Sequence, residues 1–135
     1  MKYLIFVVFF GVLSVVLTLK CDSYYQYQVQ GFQAQSLDNV ITGCQSCGYL
    51  KSNITDTNYF SGFFAGCLSS TVVLAQKYDN TIFNLTLFNN ICDTNSKENV
   101  PYCQEITTFN NSSQYVDSKI CCCNTDLCTR EYYQK

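Results

Sequence analysis

The run Cys121-Cys122-Cys123-Asn124-Thr125-Asp126-Leu127-Cys128 decides the fold class of this chain. Neighbouring cysteines do not readily bond each other, because a disulfide needs Cα separations and Cβ directions that adjacent residues rarely reach. Three in a row therefore require partners arriving from other segments, so strands or turns must converge on this point. Cys123 and Cys128 are far enough apart to close a small loop of their own. The run speaks for a cross-linked architecture and is silent about what the protein binds.

Working outward, the other cysteines are Cys21, Cys44, Cys47, Cys67, Cys92 and Cys103, and the total of ten is even. All ten follow an apolar run from Leu4 to Leu19 that is preceded by Lys2. A basic start and a short apolar stretch have the plan of a secretory signal. The run is shorter than the ~18 residues that suggest a bilayer span. Residues 1–20 are read as the signal and 21–135 as the mature domain. Val16 and Thr18 fit the small-residue positions of a cleavage site, and cleavage near Cys21 also fits; an uncleaved signal-anchor is the competing reading. Ten cysteines in the ~115 residues after the signal are roughly 9%, the density of a secreted disulfide scaffold. The metal alternative is poor. The chain has no histidine, and only Cys44-Gln45-Ser46-Cys47 has Cys-x-x-Cys spacing. No metal site and no cofactor are expected.

Two of the eight bases, Lys2 and Lys20, precede Cys21, so the mature region sets ten acids against six bases, a net charge of −4. The charges are scattered. With no basic stripe, nucleic acid is not an expected partner, and a mild acidic excess serves solubility. Length favours one domain. Five bridges, each contributing about 2–4 kcal/mol, would support a loop-rich fold with a modest core.

Along the chain, Tyr25, Tyr27 and Val29 alternate with Gln26, Gln28 and Gln30, the period of a strand. Gly31 marks a bulge or turn, and the apolar run Leu37–Ile41 resumes before Gly43-Cys44. The interval Cys21–Cys44 is read as one hairpin. Cys47–Cys67 is a second interval, with Asn53–Asn58 as its turn. Ser70–Phe88 is read as a further hairpin: Thr71–Ala75 and Thr81–Phe88 flank Tyr78-Asp79-Asn80, with Phe83, Leu85 and Leu87 on one face. Cys92–Cys103 is polar and holds the only proline, Pro101. Glu105–Ile120 reads as mixed strand and loop. No amphipathic helix, heptad or internal repeat is expected. The seven residues after Cys128 lack the hydrophobic tail of ~10–20 residues of a GPI signal, so no GPI anchor is expected.

Asn53-Ile54-Thr55, Asn84-Leu85-Thr86 and the overlapping pair Asn110-Asn111-Ser112-Ser113 fit the N-glycosylation pattern. In a secreted chain Asn53 and Asn84 are expected to carry glycans, with one of Asn110 and Asn111 occupied at a time. Chance matches in an asparagine-rich chain are the plain alternative. Glycans, where present, keep those faces out of tight protein contacts.

No catalytic residues are expected. Without histidine, Ser-His and Cys-His nucleophilic sites are impossible within the chain. Glu98 and Glu105 have no spacing that singles them out as a carboxylate pair; solvation is their plainer role. Cys44–Cys47 as a redox pair lacks a surrounding βαβ pattern, so structural bridging is favoured. Tyr59, Phe60, Phe63 and Phe64 form a dense aromatic patch, read first as core packing and second as a binding hot spot.

Leu19-Lys20-Cys21 together with Cys122-Cys123-Asn124-Thr125-Asp126-Leu127-Cys128 resembles the three-finger superfamily of snake neurotoxins and of urokinase-receptor and lymphocyte-antigen domains. Ten cysteines, the triplet and the Cys-x-x-Cys look more like its nematode-type variant, the ET module. Thr129 stands where the family ending has asparagine. The resemblance implies a small all-β, disulfide-rich domain with three hairpin fingers, one that binds through its fingers and is not an enzyme. It pairs Cys123 with Cys128. It allows two registers for the rest. In the first, finger two is Gly48–Gly66, the bridges are Cys21–Cys47 and Cys44–Cys67, and Cys92 and Cys103 bond Cys121 and Cys122. In the second, finger two is Leu68–Ile91, the bridges are Cys21–Cys67 and Cys92 to Cys44 or Cys47, and Cys103 bonds the triplet. The first is preferred, at the cost of a 24-residue link between Cys67 and Cys92. The expected partner is an extracellular or membrane receptor protein. The alternative, to which the Tyr- and Gln-rich stretch Tyr24–Gln35 lends support, is a structural component of an extracellular matrix or secretion.

Overall fold

The computed structural model describes residues 18–54, 60–78, 83–109 and 115–134. Most of the segment read as a signal lies outside the described residues, as do Thr55, Tyr59, Asn110 and Asn111. Six antiparallel strands form one sheet: β1 (Leu19–Val29), β2 (Phe32–Cys44), β3 (Cys47–Asn53), β4 (Ser61–Cys67), β5 (Tyr102–Phe109) and β6 (Tyr115–Cys123). Their order is β2-β1-β4-β3-β6-β5, so three sequential hairpins lie side by side. Helices α1 (Leu68–Tyr78) and α2 (Leu85–Ser96) stand between the second and third hairpins in sequence, and a short α3 (Arg130–Tyr133) follows the sheet.

The first hairpin follows the alternation seen in the sequence. Gln30 and Gly31 join β1 to β2, both with positive φ (50° and 77°), the conformation of the two-residue turns whose twist matches that of the strands. Leu19 and Lys20, counted with the signal on sequence grounds, are the first residues of β1, and Leu19 pairs with Cys44.

The bridges are Cys21–Cys47, Cys44–Cys67, Cys92–Cys122, Cys103–Cys121 and Cys123–Cys128. This is the first of the two registers, with Cys92 on Cys122 and Cys103 on Cys121. No cysteine is free. The triplet works as the geometry of a strand demands: successive side chains of β6 point to opposite faces. Cys122 therefore joins the core beneath α2, while Cys121 packs with Tyr49 and Ala65 on the other side.

The expected hairpin over Ser70–Phe88 is not formed, and the absence of amphipathic helices is likewise corrected. Leu68–Tyr78 is α1, and Leu85 onward is α2. The run Thr71-Val72-Val73 favours strands on propensity, but such preferences are weak beside packing. Thr71 and Ala75, one turn apart, are both buried by the sheet. Gly48 of β3 lies directly below; a Cβ there would come within 2.7 Å of the Thr71 Cβ. The apparent alternation of Phe83, Leu85 and Leu87 also dissolves, since α2 buries Phe88 and Cys92 at i and i+4 and leaves Leu87 exposed. Asn84 caps this helix, its Oδ1 accepting the Leu87 N–H at 3.1 Å.

Two layers of core result. Beneath the helices, Leu50, Phe60, Ala75, Phe83, Phe88 and Ile120 pack with Cys92 and Cys122. On the opposite face, Tyr49, Ala65 and Cys121 are covered by Tyr132 and Tyr133 of the α3 segment. The aromatic patch divides between them. Phe60 is fully buried, Phe64 packs against the helix-side core, and Phe63 faces the α3 side.

Candidate binding surface

The disulfides gather at one end of the sheet, where Cys47 pairs with both Cys67 and Cys123. The hairpins reach away to the end marked by the pairs Val29↔Phe32, Asn53↔Ser61 and Phe109↔Tyr115. The sequons are unevenly distributed over this frame. Asn53 ends β3 at the far end of the second hairpin. It is exposed, and its Oδ1 accepts the Asp117 N–H at 2.7 Å. Asn110 and Asn111 fall in the connection of the third hairpin, outside the described residues. Asn84 is exposed at the start of α2. The first hairpin carries no sequon.

That hairpin is also nearly uncharged: from Ser23 to Ile41 the only charged residue is Asp38. Its outer strand, β2, has no neighbour on its far side among the described residues. Phe32, Leu37 and Val40 are exposed along it, Leu37 by 83%. The register slips between Ser23 and Tyr25, where β2 carries an extra residue at Leu37 and Asp38. Such bulges blunt the edge of a sheet. The strand also satisfies some of its own backbone groups: Ser36 Oγ donates to the Leu37 carbonyl (3.1 Å), and Asn39 Oδ1 accepts the Val40 N–H (2.9 Å).

The two faces of the hairpin differ chemically. On the helix side, Tyr25 stacks on Phe64 at 5.5 Å and Tyr27 lies 4.9 Å from Phe60. Burial raises the Tyr27 phenol above its usual range, helped by Tyr25 and Tyr78. A depression of about 430 Å³ lies between the Tyr27 and Phe64 rings and Val73 and Leu74 of α1. The other face is amide-rich. Gln26 is directly opposite Gln35, and Gln28 opposite Gln33. A groove of about 370 Å³ there is lined by these four glutamines with Gly62 and Phe63.

At the base, a buried ionic latch holds the α3 segment. The Asp22 carboxylate is fully buried. Arg130 grips it with Nε and Nη2, each at 2.9 Å from one oxygen, and the Tyr133 hydroxyl donates at 2.6 Å. Burial first, and the Asp22 hydrogen bond second, push the Tyr133 phenol well above its usual range. The Lys20 N–H donates to Asp126 Oδ1 (2.9 Å) and the Leu127 N–H to the Lys20 carbonyl (2.8 Å), which ties the Cys123–Cys128 loop to the start of β1. Thr129 is fully buried, and its Oγ1 has no hydrogen-bond partner among the described residues.

Matched against known proteins, the chain finds no family model, no curated protein and no solved structure. The geometry is therefore the ground for any functional reading.

Glu105 bonds Lys119 across β5 and β6 at 2.5 Å, and that hydrogen bond lowers its pKa. Sequence reasoning missed the glutamine face and the Asp22 latch. The alternation of Gln26, Gln28 and Gln30 was visible, but their partners Gln33 and Gln35 are identified only by the strand register. Asp22 and Arg130 are 108 residues apart, and nothing local links them. Five disulfides are typical of a protein folded in an oxidising compartment, and no helix among the described residues is long and apolar enough to cross a membrane.

Proposed function

We propose that this chain is a secreted, glycosylated binding module of three-finger type that contacts an extracellular or receptor protein through its first hairpin. The observation that carries the reading is the surface of that hairpin. It is free of sequons and nearly free of charge, and it exposes Phe32, Leu37 and Val40 on an open edge strand. Isolated apolar residues on a surface need no explanation, but an edge strand offers unpaired backbone groups to a partner's strand, and exposed apolar side chains along it add to such a contact. Glycans at Asn53, Asn84 and Asn110 or Asn111 would shield the other hairpins and the helical layer, leaving this finger to dock. On this reading the signal is removed ahead of Leu19, with Val16 and Thr18 in the small-residue positions, since Leu19 and Lys20 are built into the fold.

The test is a binding titration of the secreted, fluorescently labelled protein on intact cells. Saturable binding that is lost on reduction and in the Phe32→Ser/Leu37→Ser variant, and kept by Asn53→Gln, is the expected outcome. Linear, non-saturable uptake by native protein would refute the reading. The second reading, a structural component of a matrix or secretion, draws on the same open edge, which is suited to strand pairing between copies. Recovery of the secreted protein as an insoluble polymer, rather than as a dispersed species by sedimentation, would decide for it.

A further inference from the structure

We infer that the glutamine face of the first hairpin is a binding site for a neutral carbohydrate, a chain of uncharged hexose or N-acetylhexosamine units. The site shares strand β2 with the proposed protein-contacting edge and does not depend on that reading. Its geometry begins with the turn. A two-residue hairpin closes on a hydrogen-bonded pair, here Val29↔Phe32, and pairs alternate from there. Gln28↔Gln33 and Gln26↔Gln35 are therefore the non-hydrogen-bonded pairs, in which facing side chains come closest. Four primary amides are set in a compact block on one face. Each offers a carbonyl acceptor and two N–H donors, the complement of vicinal sugar hydroxyls.

The amides are available. All four side chains are exposed, and none has a hydrogen bond to another described residue. Phe63 is paired with Gln26 and so lies on the same face; its ring lies 5.0 Å from that of Tyr24. An apolar ring beside amides suits the C–H face of a pyranose, while the amides take its hydroxyls. The groove between them also depends on Gly62. Its φ is +120°, and any Cβ would collide with the Gln26 carbonyl, so the close approach of β4 to β1 beside the groove requires glycine. The volume of about 370 Å³ falls within the roughly 300–1,000 Å³ of small-ligand sites.

The lining also selects against other ligands. Among the described residues no charged side chain borders the groove, so they offer nothing to pair with a phosphate, a sulfate, a carboxylate or an ammonium group. It is shallow and open on one side, so a single site binds weakly. Its use is with repeated units, where several copies on a polymer raise the effective affinity.

The experiment uses the secreted protein, its own N-glycans trimmed enzymatically to one sugar, labelled with ¹⁵N-glutamine. Neutral oligosaccharides of glucose, mannose, galactose and N-acetylglucosamine are titrated to 20 mM while side-chain amide signals are followed. The expected result is saturable shifts of the Gln26, Gln28, Gln33 and Gln35 amides with at least one of these sugars, insensitive to salt between 50 and 500 mM. Gln28→Ala/Gln33→Ala removes two hydrogen-bonding groups and should weaken binding about tenfold. Gln76→Ala, on α1, should leave it unchanged. These surface variants alter no core contact, and the backbone spectrum reports whether each is folded. No shift with any neutral sugar, shifts confined to residues away from this face, equal binding by the double variant, or binding only to sulfated polysaccharide that fades with salt would each overturn the assignment.

Discussion

Replacing Cys92 and Cys122 together by alanine isolates the contribution of the one bridge that pins a helix to the sheet. Their sequence separation is 30 residues, for which the chain-entropy relation predicts about 3.6 kcal/mol. That figure overstates the loop, because Cys103–Cys121 already closes the same region. With that bridge in place, the path runs from Cys92 to Cys103, across to Cys121 and on to Cys122. It is about 13 residues long and worth about 2.9 kcal/mol. Both sulfurs are in the core with Phe88 and Ile120, and lost packing adds to the entropic loss. The expected destabilisation is therefore about 3–4 kcal/mol, or a fall in Tm of roughly 10–25 °C for a domain of this size. Denaturant unfolding followed by far-UV circular dichroism measures it. The Cys103→Ala/Cys121→Ala variant is the comparison, since its loop of 18 residues lies within one hairpin already held by the ladder of β5 and β6. A loss below about 1 kcal/mol for the Cys92/Cys122 pair would refute the argument. It would mean that α2 holds its place by side-chain packing alone and that the bridge leaves the unfolded chain as free as before.

Four further outcomes are expected. Thr129→Val replaces a buried hydroxyl that lacks a partner among the described residues by a methyl of similar shape, so stability should be unchanged or rise by up to about 1–2 kcal/mol; a clear loss in thermal melts would show that the hydroxyl is satisfied. Gly48→Ala places a Cβ against Thr71 and the α1 backbone at Leu68 and should cost about 1–3 kcal/mol; Thr71→Ser should restore little of it, because the helix backbone is part of the clash, and full rescue by urea titration would contradict this. Arg130→Gln leaves the buried Asp22 carboxylate with the Tyr133 hydroxyl as its remaining side-chain partner, so limited proteolysis should release the C-terminal segment ahead of the sheet; simultaneous loss of both would argue against a latch. Finally, the phenols of Tyr27, Tyr49, Tyr132 and Tyr133 are all raised, burial being the largest cause in each. Below pH ~10 these groups are neutral in both states and their contribution is complete. Above it the unfolded chain ionises first, so stability should fall as pH rises from about 10. Denaturation midpoints at pH 8, 9.5 and 11, with absorbance at 295 nm, check the sign; a midpoint that holds constant to pH 11 would contradict it.

The cysteine order and the period of two determined much of this protein on their own. Adjacent cysteines must find partners other than each other whatever the surrounding sequence, and alternating tyrosines must take one face of a strand. The triplet therefore announced strands or turns converging on it, and Tyr25, Tyr27 and Val29 announced β1. Tertiary structure decided what local preference could not. Residues 70–88 read as a hairpin through Thr71, Val72, Val73 and the alternation of Phe83, Leu85 and Leu87. They became two helices because Thr71, Ala75, Phe88 and Cys92 fall on helical stripes that the sheet can bury, and because Gly48 leaves room for α1 to approach. Burial against a surface built from other segments outweighs propensities of a few tenths of a kcal/mol per residue. The glutamine face and the Asp22–Arg130 latch have the same origin. Strand register sets Gln33 and Gln35 opposite Gln28 and Gln26, and only the folded chain brings a carboxylate at the start of β1 to an arginine near the C-terminus.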